Sequence, residues 1–453
     1  MNAIRGQTTY RAARLPIHRG PAAWNAILGE QQPVILEADT TVDIVIVGAG
    51  FAGLSAARRL RQLDAKLKIG VLDAGRIAEG ASGRNSGFMI DLPHELTSDD
   101  YAGAGAESDQ RMIGLNRQAI DFARQAVEEY SIDRNFFDGC GKINGAAGAA
   151  AHAHNESYAR HLTELGEAHE MLDAARMREI TGSEHYLAGL YTPGTVMLQP
   201  AGYIRGLAAG LRETGVAIFE NSPVTGFEQN GTGWRVRTAK AHIDTQRIIL
   251  ANNGHLESFG IERGRLMQIF LYASMTEELD TDALKQLGGH PRWGITPSDP
   301  MGTTMRRIDI GQGGNRIVTR TCATMNPALS PNETDVVRFA KVHKRKFVQR
   351  FPQLSGVRQQ YSWAGHLCLT LNGVSVMREI DQGVWSACVQ NGLGTARGTL
   401  TGMGSAELAL GLASDVTRHF SSEPRAKKLP PQPFASVGAN LYMRYKEWWA
   451  ADE

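Results

Sequence analysis

The 453-residue sequence predicts an α/β chain, α+β overall, built of two or three domains. Its length is too great for a single core. A strand–turn–helix–strand unit fills Val42 to Gly75, and a second strand runs through glycines into a small-residue helix near the far end.

In the first unit, Asp43 to Val47 is short and mostly β-branched, the pattern of a buried parallel strand. Gly48, Gly50 and Gly53 follow as G-x-G-x-x-G, and Leu54 to Leu63 has helical spacing. Gly48 permits the tight turn, Gly50 admits a pyrophosphate, and Gly53 lets helix approach strand. The helix N-terminus offers free N–H groups to phosphate. Lys68 to Leu72 is a second apolar run ending at Asp73, placed to accept hydrogen bonds from ribose hydroxyls. Strand, glycines, helix, strand and acid in register point to a dinucleotide.

Residues 1–40 read as a polar, Pro-containing arm. Helical patterning covers 104–130 and 157–180, with "AAGAAAHAHNE" between them as a flexible loop or helix start. "FFDGCGKING" reads as a strand with turns. Tyr203 to Arg212 carries a helical face, and Val216 to Phe219 is a buried strand. Residues 234–254 read as a hairpin followed by the strand Arg247 to Ala251. Residues 315–324 alternate as a half-buried strand, and 334–350 form a charged helix ended by Pro352. Val384 to Val389 is the late strand, and Gly392, Leu393, Gly394 and Thr395 turn it into a helix. That turn is either an ordinary glycine-rich connection or a second helix N-terminus offered to an electron-rich group.

Composition narrows the function. A formal charge of +1 supplies no basic field for nucleic acid or an anionic membrane. Four scattered cysteines, without C-x-x-C, argue against a disulfide framework, a zinc site and a dithiol redox centre, and no metal is expected. The N-terminus lacks the apolar stretch of a signal peptide, and no run approaches a spanning helix. The expectation is a cytoplasmic protein with no nucleic-acid partner and no membrane insertion.

Three segments together carry a family resemblance: Asp43 to Asp73, "GASGRNSG" at 80–87, and the late "WAGH" with "NGLGTARG". The sequence resembles FAD-dependent amine oxidoreductases of the D-amino-acid oxidase, glycine oxidase and sarcosine oxidase superfamily. "GASGRNSG" is most similar to the γ-glutamylputrescine oxidase-type branch. The resemblance spans about residues 40–420. It implies a Rossmann-like FAD-binding domain of the glutathione-reductase type, with a substrate domain on a mixed or antiparallel sheet with helices. The implied division assigns 41–98, 187–260 and 345–425 to FAD, 99–186 and 261–344 to substrate, and 426–453 to a tail.

The resemblance also implies site residues. Gly48, Gly50, Phe51, Ala52, Gly53, Asp73 and Ala74 would hold the ADP half of a non-covalent FAD. Ala81, Ser82, Gly83, Arg84, Asn85, Ser86 and Gly87 would follow the pyrophosphate and flavin edge. Val224 would meet adenine, and Gly392 to Thr395 the flavin pyrimidine, with Gly254, Trp363 and Gly365 close by. His366 is either a group that tunes amine protonation or a structural histidine. Arg306 and Arg307 are candidates to anchor a substrate carboxylate or are surface residues; adjacent strand positions face opposite ways, so at most one points inward. Met89, His94, Tyr272 and Trp363 either wall the substrate pocket or pack the core. His94 stands far from the motif for a covalent flavin link.

Two departures stand out. The aspartate-then-proline turn common in the family appears here as "TLNGVSVMRE", and the basic, doubly glycine motif of monoamine-oxidase-type enzymes is missing. "GCGKIN" and "GQGGNR" lack the flanks of a second dinucleotide site, so no nicotinamide site is read. The implied reaction is oxidation of a C–N bond in a small amine or amino acid, such as a secondary amine or N-substituted glycine. Electrons would leave to O2 or to a carrier. The alternatives are a flavin-linked 2-hydroxy-acid dehydrogenase and a non-catalytic flavin-binding partner protein.

Overall fold

The computed structural model describes residues 8–93, 106–299 and 301–453; His94 lies outside them. Two sheets dominate. The first has nine strands around a parallel centre: Ala217–Phe219, Ile69–Leu72, Thr40–Val47, His242–Leu250 and Val384–Cys388 in spatial order. Alternate residues of Thr40–Val47 enter different cores. Ile44 and Ile46 pack on the helix side, and Val45 and Val47 on the opposite side. That two-faced burial is why the strand is apolar from Ile44 to Val47.

The helix Phe51–Leu63 follows the first turn, and the helix Ala396–Ala409 packs against it. A side chain at Gly402 would sit 2.1 Å from the Ala52 carbonyl oxygen. Glycine at 402 therefore sets the spacing of these two helices, whose N-termini both open onto the same cleft.

The second sheet has eight strands, ordered Gln359–Thr370, Leu266–Thr276, Arg316–Met325, Thr304–Ile308, Trp293–Pro297, Lys142–Ala146, Ala188–Thr192 and Glu170–Asp173. It is antiparallel except where Trp293–Pro297 runs parallel to Lys142–Ala146. The mixed sheet matches the class expected from the sequence.

Several elements differ from the sequence reading. "AAGAAAHAHNE" is not among them: it is a helix start, with the helix Ala149–Glu164 beginning at its fourth residue. The helical pattern of 157–180 covers the end of that helix, the strand Glu170–Asp173 and the helix Ala174–Thr181. Gly166, in the left-handed region at φ 72°, makes the break. The hairpin's second arm and the strand at 247–251 are one strand, His242–Leu250. The N-terminal arm contributes the edge strand Thr9–Arg11, paired with Gly226–Asn230. The C-terminal tail holds the helix Phe434–Trp449, packed on Arg316–Met325. No helix among the described residues is long and apolar enough to cross a membrane.

Candidate active site

A cleft of about 340 Å3 runs between the two sheets, from the Gly48 turn to the strands of the second sheet. Gly48 has φ 109°, and a side chain there would lie 2.6 Å from the Ala251 carbonyl oxygen. A side chain at Gly53 would meet the Gly48 carbonyl oxygen at 1.7 Å, so Gly53 is the helix–strand contact and does not itself line the cleft. Gly50 opens into the cleft, its nearest neighbour across an added carbon being Ser82 at 3.6 Å. Asp73 lines the same end. Its two carboxylate oxygens accept hydrogen bonds from the Ala49 and Gly75 N–H groups at 2.8 and 2.9 Å. Burial raises its pKa, against the lowering effect of those two N–H groups.

The loop of residues 80–87 forms one wall and is braced from within. Arg84 donates to the Glu79 carbonyl and carboxylate, to the Arg19 carbonyl and to the Ala364 carbonyl. Asn85 bonds Ala81, Ser82 and Gly87. Arg84 and Asn85 thus spend their polar atoms on loop shape, while Ser82 and Ser86 also line the cleft. Trp363 donates to the Arg84 carbonyl at 3.0 Å and Trp24 to the Asn85 carbonyl at 2.8 Å, clamping the loop from both sides. Gly83 and Trp363 are buried behind this wall and do not line the cleft.

Phe51, Ala52, Ala74, Ala81, Gly87, Val224, Gly365, Gly392, Leu393, Gly394 and Thr395 do line it. Thr395 donates to the Phe88 carbonyl at 2.7 Å, fixing the late helix start against the 80–87 loop. Gly254 lies one layer back, where a side chain would strike Gln268 and His366. The N-terminal arm supplies cleft residues that the sequence reading missed: Ala12, Arg14, Pro16, Ile17 and His18. The signal available was an apolar Trp24 in a polar stretch, the anchor that holds the arm down.

His366 lines the cleft and hydrogen bonds through Nε2 to Gln268 Oε1 at 2.9 Å. Gln268 Nε2 donates to the Gly254 carbonyl and Glu257, which fixes the amide orientation. His366 Nε2 therefore carries the proton and Nδ1 the lone pair. Its ring stacks on Phe270 at 5.1 Å and meets His255 edge-on at 5.5 Å. Burial, then the neighbouring His255 and His18, push its pKa down to about 3, so the imidazole is neutral at physiological pH.

The far end is a row across neighbouring strands. Thr304 pairs with Arg320, and Arg320 with Ala273; Thr296 lies on the next strand, and all four line the cleft. Paired residues share a face. The Thr304 hydroxyl is buried there without a hydrogen-bond partner.

The expected arginine pair is placed elsewhere. Arg306 and Arg307 face opposite ways, as strand alternation requires, but neither lines the cleft. Arg306 is buried, donates to the Ser86 and Leu198 carbonyls and Gln312, and stacks over Trp24. Arg307 donates to the Gly288 carbonyl. Arg320, one pleat repeat along the neighbouring strand, was not singled out. Met89 belongs to the core. Tyr272 is buried too, its hydroxyl bonded to Thr324 and its ring against Phe339. Neither walls the cleft.

Comparison with known proteins agrees with this architecture. A family profile described as DAO, FAD dependent oxidoreductase, matches residues 43–408. The chain is 27% identical to a probable oxidoreductase, OrdL, of Haemophilus influenzae, over 82% of this chain and 83% of that one. It is 26% identical to the γ-glutamylputrescine oxidoreductase of Escherichia coli, over 90% and 93% of the two chains. Glycine oxidase from Geobacillus kaustophilus superposes with a TM-score of 0.67 at 17% identity, covering 83% of this chain and 96% of that one. With four-fifths of its length inside the matched region, the chain belongs to the DAO family of FAD dependent oxidoreductases.

Proposed function

We propose that this protein oxidises a C–N bond in a small amine or amino acid carrying a carboxylate, with FAD held non-covalently in the cleft. The observation that carries this reading is one continuous cleft joining the Gly48–Asp73 turn to the Thr304–Arg320 row. Its donors suit FAD. Asp73 keeps a lone pair on each oxygen for ribose hydroxyls after accepting from the backbone. Gly50 and the N-terminus of Phe51–Leu63 suit the pyrophosphate, and the N-terminus of Ala396–Ala409 suits a negatively charged ring edge.

When bound, FAD supplies the hydride acceptor. The chain's residues orient and desolvate. Arg320 takes the place the sequence reading gave to Arg306, as the guanidinium for a substrate carboxylate, with the Thr304 hydroxyl beside it. His366, neutral and already donating to Gln268, places no positive charge beside the reacting amine. Hydride departure leaves an iminium and needs the nitrogen lone pair, so the amine reacts as the free base. The names of two comparison proteins, a γ-glutamylputrescine oxidoreductase and a glycine oxidase, support an amine or amino-acid substrate. A secondary amine or N-substituted glycine is the substrate we favour, giving an imine that hydrolyses to amine plus aldehyde or oxoacid, with O2 reduced to H2O2.

Anaerobic mixing with a panel of amines, amino acids and 2-hydroxy acids tests this through loss of flavin absorbance. Bleaching by amines with nitrogen released as amine or ammonia is the expected result. Bleaching by hydroxy acids alone would select the dehydrogenase, and no bleaching by any compound the non-catalytic binder.

A further inference from the structure

The C-terminal helix Phe434–Trp449 is apolar on two opposite sides. One side is used. Ala435, Ala439 and Met443 pack with Ile269, Ala323 and Met325, Asn440 exchanges hydrogen bonds with the Met325 backbone, and Glu447 accepts from the Ala323 N–H. The other side carries Phe434, Val437, Leu441, Tyr442, Tyr445, Trp448 and Trp449, all between 54% and 74% exposed. A helix that is apolar all round belongs in an interior.

We infer that this outer face is a two-fold interface between two copies of the chain. The spacing of Phe434, Val437, Leu441, Tyr445 and Trp448 is 3, 4, 4 and 3 residues, which places them in one stripe at helical periodicity. The stripe reads the same in both directions about Leu441. A two-fold axis through Leu441, with helices antiparallel, sets Phe434 against Trp448 of the second copy and Val437 against Tyr445. Leu441 meets itself. Self-complementarity of this kind is the requirement of an isologous dimer. Gly438 lies in the same stripe with open space where a side chain would be, a slot for a facing ring.

The area is sufficient. Aromatic side chains present roughly 150–250 Å2 each. The five exposed here contribute about 600 Å2, and Val437 and Leu441 bring the patch near the ~800 Å2 per partner of a standard stable interface. Charge does not favour a lipid surface. An interfacial membrane helix carries a strongly basic polar face, whereas here the other face is packed on protein and the chain's formal charge is +1.

Sedimentation equilibrium of the flavin-loaded protein at about 10 µM, far above the nanomolar dissociation constants that interfaces of this size reach, should give twice 49.3 kDa. Leu441→Glu puts two carboxylates on the axis and should give monomer, with bound flavin and circular dichroism unchanged. Leu441→Cys should cross-link to itself under mild oxidation. Phe434→Cys should not, but mixing it with Trp448→Cys should yield the mixed dimer. A monomeric wild type overturns the proposal, as does a dimer that survives Leu441→Glu and fails to cross-link through Leu441→Cys. Monomer that floats with anionic phospholipid vesicles, and loses flotation on Leu441→Glu, overturns it in favour of a lipid surface.

Discussion

Arg306 and Arg320 lie on neighbouring strands and face the same side of the sheet, but of the two only Arg320 lines the cleft. Arg306 is consumed by two carbonyls, an amide and a tryptophan face. Arg306→Met strands those neutral acceptors and should lower stability by about 1–3 kcal/mol, the range for leaving a buried hydrogen-bonding group unsatisfied, with flavin lost alongside. Arg320→Met should leave flavin content intact and lower kcat/KM by about 2–4 kcal/mol, the cost of removing a desolvated partner of a carboxylate. Thermal melts and steady-state kinetics on both variants separate the two roles, and equal effects would refute the assignment. Asp73→Ala should weaken FAD retention by about 1–3 kcal/mol, read by flavin titration of the apoprotein, without preventing reduction of flavin that is bound. The glycines and Asp73 were legible in the sequence because their jobs lie within one strand–turn–helix–strand unit. Choosing among Arg306, Arg307 and Arg320 was not, since that choice depends on which loop carbonyls crowd each guanidinium from across the fold.

At the scale of elements, two helices meet through glycine. A side chain at Gly402 would enter the Ala52 backbone at 2.1 Å, and one at Gly398 would touch Phe51 at 3.3 Å. Gly402→Val should therefore push the late helix away from Phe51–Leu63 and open the end of the cleft. Flavin affinity should fall at least tenfold, and the melting temperature should fall with it; overpacking of this kind costs roughly 1–3 kcal/mol. Retained flavin affinity in Gly402→Val would show that the two helices can separate without moving the turn. The parallel strands and both glycine turns were readable because burial on both faces leaves a continuous apolar run. The misread stretches share a different cause. In 157–180, apolar residues at helical spacing straddle a glycine turn and a short strand, whose pairing with Ala188–Thr192 is a tertiary contact with no local signature. The C-terminal helix went unread because apolar residues on both its faces blur the one-sided stripe that marks a surface helix.

Across the whole molecule, three histidines from separate elements gather at the cleft: His18 from the N-terminal arm, His255 from the turn after His242–Leu250, and His366 from the second sheet. Burial lowers their pKa values from 6.5 to about 4, about 4 and about 3. Each folded imidazole therefore resists protonation that the unfolded chain accepts. Below about pH 6.5 the unfolded state binds more protons than the folded one, so stability falls as pH drops toward about 4, and flattens once the folded groups titrate. Asp73, Glu423, Glu447 and Glu453 act in the opposite sense, because burial raises their carboxyls, whereas His185, His343 and His419 act with the three cleft histidines. The holoenzyme should thus lose stability progressively from about pH 6.5 to pH 4, with flavin released as the cleft opens. Denaturant unfolding followed by flavin fluorescence at stepped pH measures it. His18→Gln combined with His255→Gln should make the slope shallower while leaving the stability at pH 8 little changed. An equally steep acid slope in that double variant would move the cause to His185, His343, His366 and His419 or to carboxylates elsewhere in the fold.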